Sequence, residues 1–251
     1  MDATAVIWII VAQAIGFLMQ GMVGFGAGLI IVPILVCVGM DVPMAVGALL
    51  GGVMVGTGQR CLRRQEDFEW ADVWALSSWR MVGIPVGVWL LGVLVEQWQP
   101  SQIKQMVGLL LAFGLLAMWT MKVQPREKVG RGWTVAAGIS SGALGGLVGM
   151  SGPLAVMWVM AHDWSPVRSR ATLWGIFFLF SPPATAVLAW RFGPDVLWAF
   201  LVGMLCFPAV ALADFAGDRL GRRFTKSGLR RASYGLLVII ALVAMVEPLF
   251  G

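Results

Sequence analysis

An all-α, polytopic membrane protein is the fold class the sequence predicts, and three observations predict it. Long stretches carry no carboxylate or base: residues 5–59 hold one, Asp41, while 133–161, 171–190, 196–213 and 232–246 hold none. The chain is 59% hydrophobic and 12% charged, against roughly half apolar and a quarter charged in a soluble domain. Its Lys and Arg residues sit in short connections between apolar stretches, with no aromatic-interleaved basic domain. That pattern belongs to membrane topology, so the expected surroundings are a lipid bilayer and no nucleic acid partner is implied.

About 20 apolar residues, rising about 1.5 Å each, cross a hydrocarbon core of about 30 Å. Eight segments meet or approach that length: about 5–38, 42–59, 71–95, 103–121, 133–161, 171–190, 195–216 and 230–247. The start, Met1-Asp2, lacks the basic stretch of a signal peptide, so the first segment is expected in the mature protein. It is too long for one ordinary span and has a Gly cluster, GMVGFGAG (Gly21 to Gly28), in its middle. The third segment places Arg80 about ten positions deep, where a permanent cation is costly and marks function unless it snorkels to the nearby face. The fifth, again over-long, contains GALGGLVGMSGP (Gly142 to Pro153). Near the end of the seventh, Asp214 is expected to pair with a loop arginine such as Arg219. Trp70, Trp98, Trp133, Trp164 and Trp190 lie at segment ends, as interfacial anchors do.

The two Gly clusters look like copies. At an offset of 125, Gly21 falls on Gly146, Gly24 on Gly149, and Gly26-Ala27-Gly28 on Ser151-Gly152-Pro153; at 123, Ala48 and Gly52 fall on Ala171 and Gly175. A duplication divides the chain into a membrane repeat at 1–121, a cytoplasmic linker at 122–132 and a second repeat at 133–251. Loop charge then sets the topology. Eight single crossings would divide Lys and Arg almost evenly between the faces. If each Gly-broken segment instead leaves on the side it entered, one face collects Arg60, Arg63, Arg64, Lys122, Arg126, Lys128, Arg131, Arg168, Arg170, Arg219, Arg222, Arg223, Lys226, Arg230 and Arg231, and the other keeps Lys104 and Arg191. Fifteen against two is a strong positive-inside signal. Each half then crosses an odd number of times, the halves are inverted, and both termini lie on the non-cytoplasmic side of the cell inner membrane.

Backbone that leaves the helix at membrane depth is tolerated only inside protein or beside a water-filled cavity, so the clusters point to a cavity. A helix resumes after each, at Leu29 and at Leu154, presenting two helix N-termini whose free N–H groups and positive dipole ends suit an anion. Pro153 suits a first helical position. The candidate substrate site is Gly24, Phe25, Gly26, Ala27, Gly28, Gly149, Met150, Ser151, Gly152 and Pro153, with Arg80 and Gln20; Gln13 and Gln59 are further polar candidates. Close helix packing by small residues is the competing account of Gly21, Gly24, Gly28, Gly142, Gly145, Gly146 and Gly149.

These residues match something known. GFGAGLIIVPIL, GLVGMSGPLAVMWVM and LGRRFTKSGLRR resemble the TauE/SafE family of sulfite exporter-like anion permeases, over essentially the whole chain. The resemblance implies a permease for sulfite or a small organosulfonate, with Gly24, Gly26 and Gly28, and Gly149, Ser151, Gly152 and Pro153, at the motif positions. Ala27, Ser151 and Trp158 stand where more typical members have Gly, Gly and Pro, which bears on substrate size.

The expected mechanism is alternating access, with a small oxyanion held near the midplane. An inside-negative potential favours anion exit by about 2.3 kcal/mol per charge per 100 mV, and intramembrane carboxylates are scarce, so export is expected. The alternatives are a carboxylate carrier coupled to H+ or Na+, and a non-transporting membrane subunit. An enzyme would need a cluster of His, Cys or acids at membrane depth, yet His162 is the single histidine and Cys37, Cys61 and Cys206 are scattered. No cofactor or metal is implied, and the sequence leaves oligomeric state open.

Overall fold

The computed structural model describes residues 2–24, 26–63, 69–120, 125–126, 129–221 and 235. Among them are ten α-helices: α1 (Ala3–Val23), α2 (Ala27–Cys37), α3 (Val42–Arg63), α4 (Trp70–Gln97), α5 (Pro100–Thr120), α6 (Arg131–Val148), α7 (Gly152–Met160), α8 (Pro166–Phe192), α9 (Asp195–Leu205) and α10 (Phe207–Gly221). Four are long and apolar enough to cross a membrane unaided: Ala3–Met22, Val42–Leu62, Trp70–Gln97 and Pro166–Phe192. The expected eighth segment, the LGRRFTKSGLRR motif beyond Gly221, Phe25, and the loop cations Arg64, Lys122 and Lys128 lie outside the described residues.

Helix ends follow local chemistry. Asp2 caps α1 by accepting the Ala5 N–H at 2.9 Å, and Ser165 caps α8 through the Arg168 N–H ahead of Pro166. The seventh segment departs from expectation: it is not one helix but α9 and α10, bent by 54° at Cys206. Pro208 explains the break, because it has no N–H for the Met204 carbonyl and its ring crowds that carbonyl.

Both over-long segments are helical hairpins. In the first, Gly16 of α1 lies directly against Ile31 and Ala27 of α2, so the two helices run back along each other. In the second, Trp158 near the end of α7 donates its indole N–H to Thr134 at the start of α6, at 3.0 Å. Each hairpin therefore returns to the face from which it set out.

Side-chain pairs give the remaining directions. Asp72–Arg168, Arg80–Ile176 and Glu96–Arg191 run up the α4/α8 seam in step, so these helices are parallel. Central α3 and α8 are antiparallel: Gly58 meets Phe178, and the Arg60 guanidinium lies 4.4 Å over the Trp174 ring. Elsewhere glycines let backbones touch, Gly138, Gly142 and Gly146 of α6 against α4, and Gly217 and Gly221 of α10 against Leu18 to Met22 of α1. Exchanging α1 with α6, α2 with α7, α3 with α8 and α4 with α9–α10 maps the packing of α4 on α6 onto α10 on α1, and of α4 on α8 onto α9 on α3.

The exterior is apolar and the interior carries the polar groups, as lipid surroundings require. Trp89, Trp190, Trp198, Leu205 and Leu212 face outward, while Gln13, Thr57, Ser77, Arg80, Ser141 and Thr172 are buried. Charges separate by face. Arg60 pairs with Asp214 and Arg168 with Asp72 at one end, while Arg191 pairs with Glu96, and Lys104 donates to the Cys37 carbonyl, at the other. Asp214 thus takes Arg60 across the α3/α10 contact rather than Arg219, whose guanidinium lies over Phe215. Asp2 lines a surface cavity with Val38 to Asp41 and Met44, which puts the start of α1 on the arginine-poor face.

Candidate functional site

The two helix breaks are built alike. Each first helix ends on a valine, Val23 or Val148, and is capped by a left-handed glycine, Gly24 (φ 98°) or Gly149 (φ 69°). The cap N–H donates to the carbonyl four residues back, Gln20 at 2.6 Å and Gly145 at 2.9 Å. A side chain at such a φ would press its Cβ on the following carbonyl, costing about 1–2 kcal/mol, which is why glycine stands there. The next helix begins at Ala27 or Gly152, and neither start has a side-chain cap. Apart from the Leu29 N–H, which donates to the Gly26 carbonyl at 3.0 Å, their first-turn N–H groups are left for whatever occupies the space ahead of them.

That space is a cavity of about 40 Å³ between the tips, lined by Gln20, Gly26 to Leu29 and Gly149 to Gly152, closed by Leu49, Leu50 and Val53 of α3 and Phe177 and Phe180 of α8. These α3 and α8 residues lie about halfway along their helices. Among the described residues no charged side chain lines the cavity, and its polarity comes from backbone, Gln20 and Ser151. The Ser141 hydroxyl donates to the Ser151 carbonyl at 2.8 Å and fixes the second tip.

A methyl placed on each glycine separates packing from cavity. On Gly21 it would strike the Asp214 carbonyl, on Gly28 the Gly149 carbonyl, on Gly142 the Arg80 carbonyl, on Gly145 the Phe180 ring and on Gly146 the Ile84 carbonyl. On Gly26 or Gly152 it would meet nothing within 4 Å. The expected site residues therefore divide. Gln20, Gly26, Ala27, Gly28, Gly149, Met150, Ser151 and Gly152 come together at the cavity, whereas Gly24, Pro153 and Arg80 do not line it. Gln13 is spent on the Ala48 carbonyl between α1 and α3. Of the residues in which this chain departs from its look-alikes, Ala27 and Ser151 line the cavity, but Trp158 packs away from it against His162 and Trp164.

Arg80 is 1% exposed, so it does not snorkel. One terminal nitrogen donates to the Ile176 carbonyl at 3.0 Å, and the guanidinium lies 4.2 Å over the Phe180 ring, the same ring that walls the cavity. Leu49, Leu50, Val53, Phe177 and Phe180 escaped the sequence reading because apolar positions in a central span look alike. The one available signal was the weak match of the 48–52 and 171–175 stretches, which marks α3 and α8 as repeat mates around the clusters.

The family described as "Sulfite exporter TauE/SafE" matches residues 8–244. A curated relative, the "Probable sulfite/organosulfonate exporter TauE" of Cupriavidus necator, is 24% identical over 235 residues, covering 93% of this chain and 91% of the relative. No solved structure matches the chain.

Proposed function

The chain belongs to the sulfite exporter TauE/SafE family, a family of membrane transporters, and from that premise we propose that it exports a small oxyanion, sulfite or an organosulfonate, held between its two helix tips. One observation carries the reading: two uncapped helix N-termini meet at a mid-span cavity that, among the described residues, no charged side chain lines. Converging backbone dipoles attract a negative guest, and the absence of lining carboxylates gives a cation nothing to hold.

The two halves, 1–121 and 133–251 joined by the 122–132 linker, act in this reading as inverted repeats. Support comes from the shared construction of the breaks, the antiparallel run of α3 and α8, and the exchange relation among packing pairs. The arginine-rich face is cytoplasmic, by the positive-inside rule. Alternating access then opens the cavity to each face in turn, and the membrane potential drives the anion outward by about 2.3 kcal/mol per charge per 100 mV.

Counterflow of labelled sulfite, C2 sulfonates and C2 carboxylates in proteoliposomes, with and without an imposed potential, tests the assignment. Sulfite or a sulfonate is expected to exchange, faster with the potential directed to expel it. Gly152→Leu fills open space and is expected to abolish exchange, and Gly26→Leu does the same with added backbone strain at φ 106°; native rates in inserted, folded variants defeat the cavity assignment.

A further inference from the structure

Arg80 lacks a partner that its chemistry demands. Its Nε and one Nη are buried and donate to no acceptor among the described residues, and two hydroxyls, Ser77 Oγ and Thr172 Oγ1, are likewise buried without a hydrogen-bond partner there. These groups share a seam. Ser77 stands one turn before Arg80 on α4, Thr172 one turn before Ile176 on α8, and Arg80 bonds the Ile176 carbonyl where the two parallel helices run in step. Arg80 is the eleventh residue of α4, about 15 Å from its start at about 1.5 Å per residue, and its side chain is buried.

A permanently charged guanidinium in such a place requires an anion. The nearby carboxylates are already committed, Asp72 to Arg168, Asp214 to Arg60 and Glu96 to Arg191. What separates Arg80 from the tip cavity is a single ring: Phe180 has the guanidinium on its face and lies beside Gly145 and Ser151, with Phe177 next to it at 5.6 Å from the same cation. An aromatic face is the best temporary substitute for an anion that an apolar side chain can offer.

We propose that Arg80, Ser77 and Thr172 form a second oxyanion station beside the tip cavity, closed in this state by Phe180, and that the transported anion displaces the ring to pair with the guanidinium during the cycle. The assignment rests on the anion-permease reading above. It adds a charged, donor-rich stop to an otherwise neutral path, and it selects oxyanions, because a fork of N–H groups and two hydroxyls fits several acceptor oxygens on one centre.

The test is calorimetric titration of sulfite into the full chain in lipid nanodiscs, with thermal melting alongside. Arg80→Met is expected to bind sulfite at least about tenfold more weakly, as loss of a charge-assisted hydrogen bond does, while melting no lower than the native protein, because it removes an uncompensated buried charge. Native affinity in Arg80→Met overturns the proposal. Should that variant melt lower or fail to accumulate, Ser77→Ala with Thr172→Val decides: binding weakened about fivefold is expected, and unchanged binding overturns the station. Counterflow with Gly152→Leu separates the two readings. A native rate there defeats the tip cavity, whereas native sulfite affinity in Arg80→Met defeats the Arg80 station alone.

Discussion

Gly149 and Gly152 are three residues apart, yet the structure uses them oppositely. Gly149 is left-handed, and a methyl on it would stand 2.8 Å from Leu49 Cδ2 and 3.0 Å from Val32 Cγ2. Gly149→Ala is therefore expected to destabilise the protein by about 2–4 kcal/mol, adding backbone strain to overpacking. Gly152→Ala should leave the melting temperature near native and slow counterflow only, since its methyl projects into the cavity; equal melting temperatures for both variants would contradict this division. In the sequence the two glycines are indistinguishable. Both are present because a Cβ is absent, and only the third dimension shows whether another chain or an empty space takes its place. Arg80 was legible as an oddity because charge at that depth is rare, but its stacking on Phe180 depends on α8, nearly a hundred residues away.

At the scale of elements, the hairpins were readable and the α9–α10 bend was not. Segment length and charge parity foretold that the first and fifth segments double back. Pro208 was visible too, but a proline near mid-segment can kink a helix slightly or break it, and neighbouring packing decides which. The corner between α7 and α8 carries a pH prediction. The His162 Nδ1–H donates to the Trp158 carbonyl at 2.9 Å, and the imidazole stacks on Trp164 at 4.0 Å. Burial lowers its pKa below 6.5, outweighing the Trp158 carbonyl and Asp72, which raise it; Arg168 lowers it further. A folded pKa below the unfolded one means that the unfolded chain binds more protons, so this corner loses stability as pH falls below about 6.5 and regains it on neutralisation. Because His162 is the single histidine, its imidazole NMR signal should titrate alone, with a midpoint below 6.5; a midpoint above that value would refute the burial argument.

Across the described residues the exterior is apolar as well as the core, unlike a soluble fold, and composition alone revealed that. What composition could not reveal is how the halves interlock. First-half α4 packs chiefly on second-half α6 and α8 and is tied to α8 at both ends, by Asp72–Arg168 and Glu96–Arg191, while second-half α9 and α10 pack on α3 and α1. A rocking motion that respects these contacts moves α4 with α6, α7 and α8 against α1, α2, α3, α9 and α10, rather than one sequence half against the other. Fragments 1–121 and 133–251 produced separately should accordingly be degraded, and produced together should associate and recover sulfite counterflow. Stable accumulation of either fragment alone would show the interlock to be dispensable.

The same exchange of helices governs how the chain is born. When α4 leaves the ribosome, α6 and α8 have not been made, and its Gly83 and Gly87 stripe, destined for Ile139 and Ala143, has nothing to press against. The nascent half must wait in the lipid, held open and exposed to quality-control proteases, until translation reaches the final third. Slower synthesis through the α6–α8 stretch is therefore expected to lower the amount of full-length protein a cell retains, as its yield on replacing fast codons by slow ones there would show.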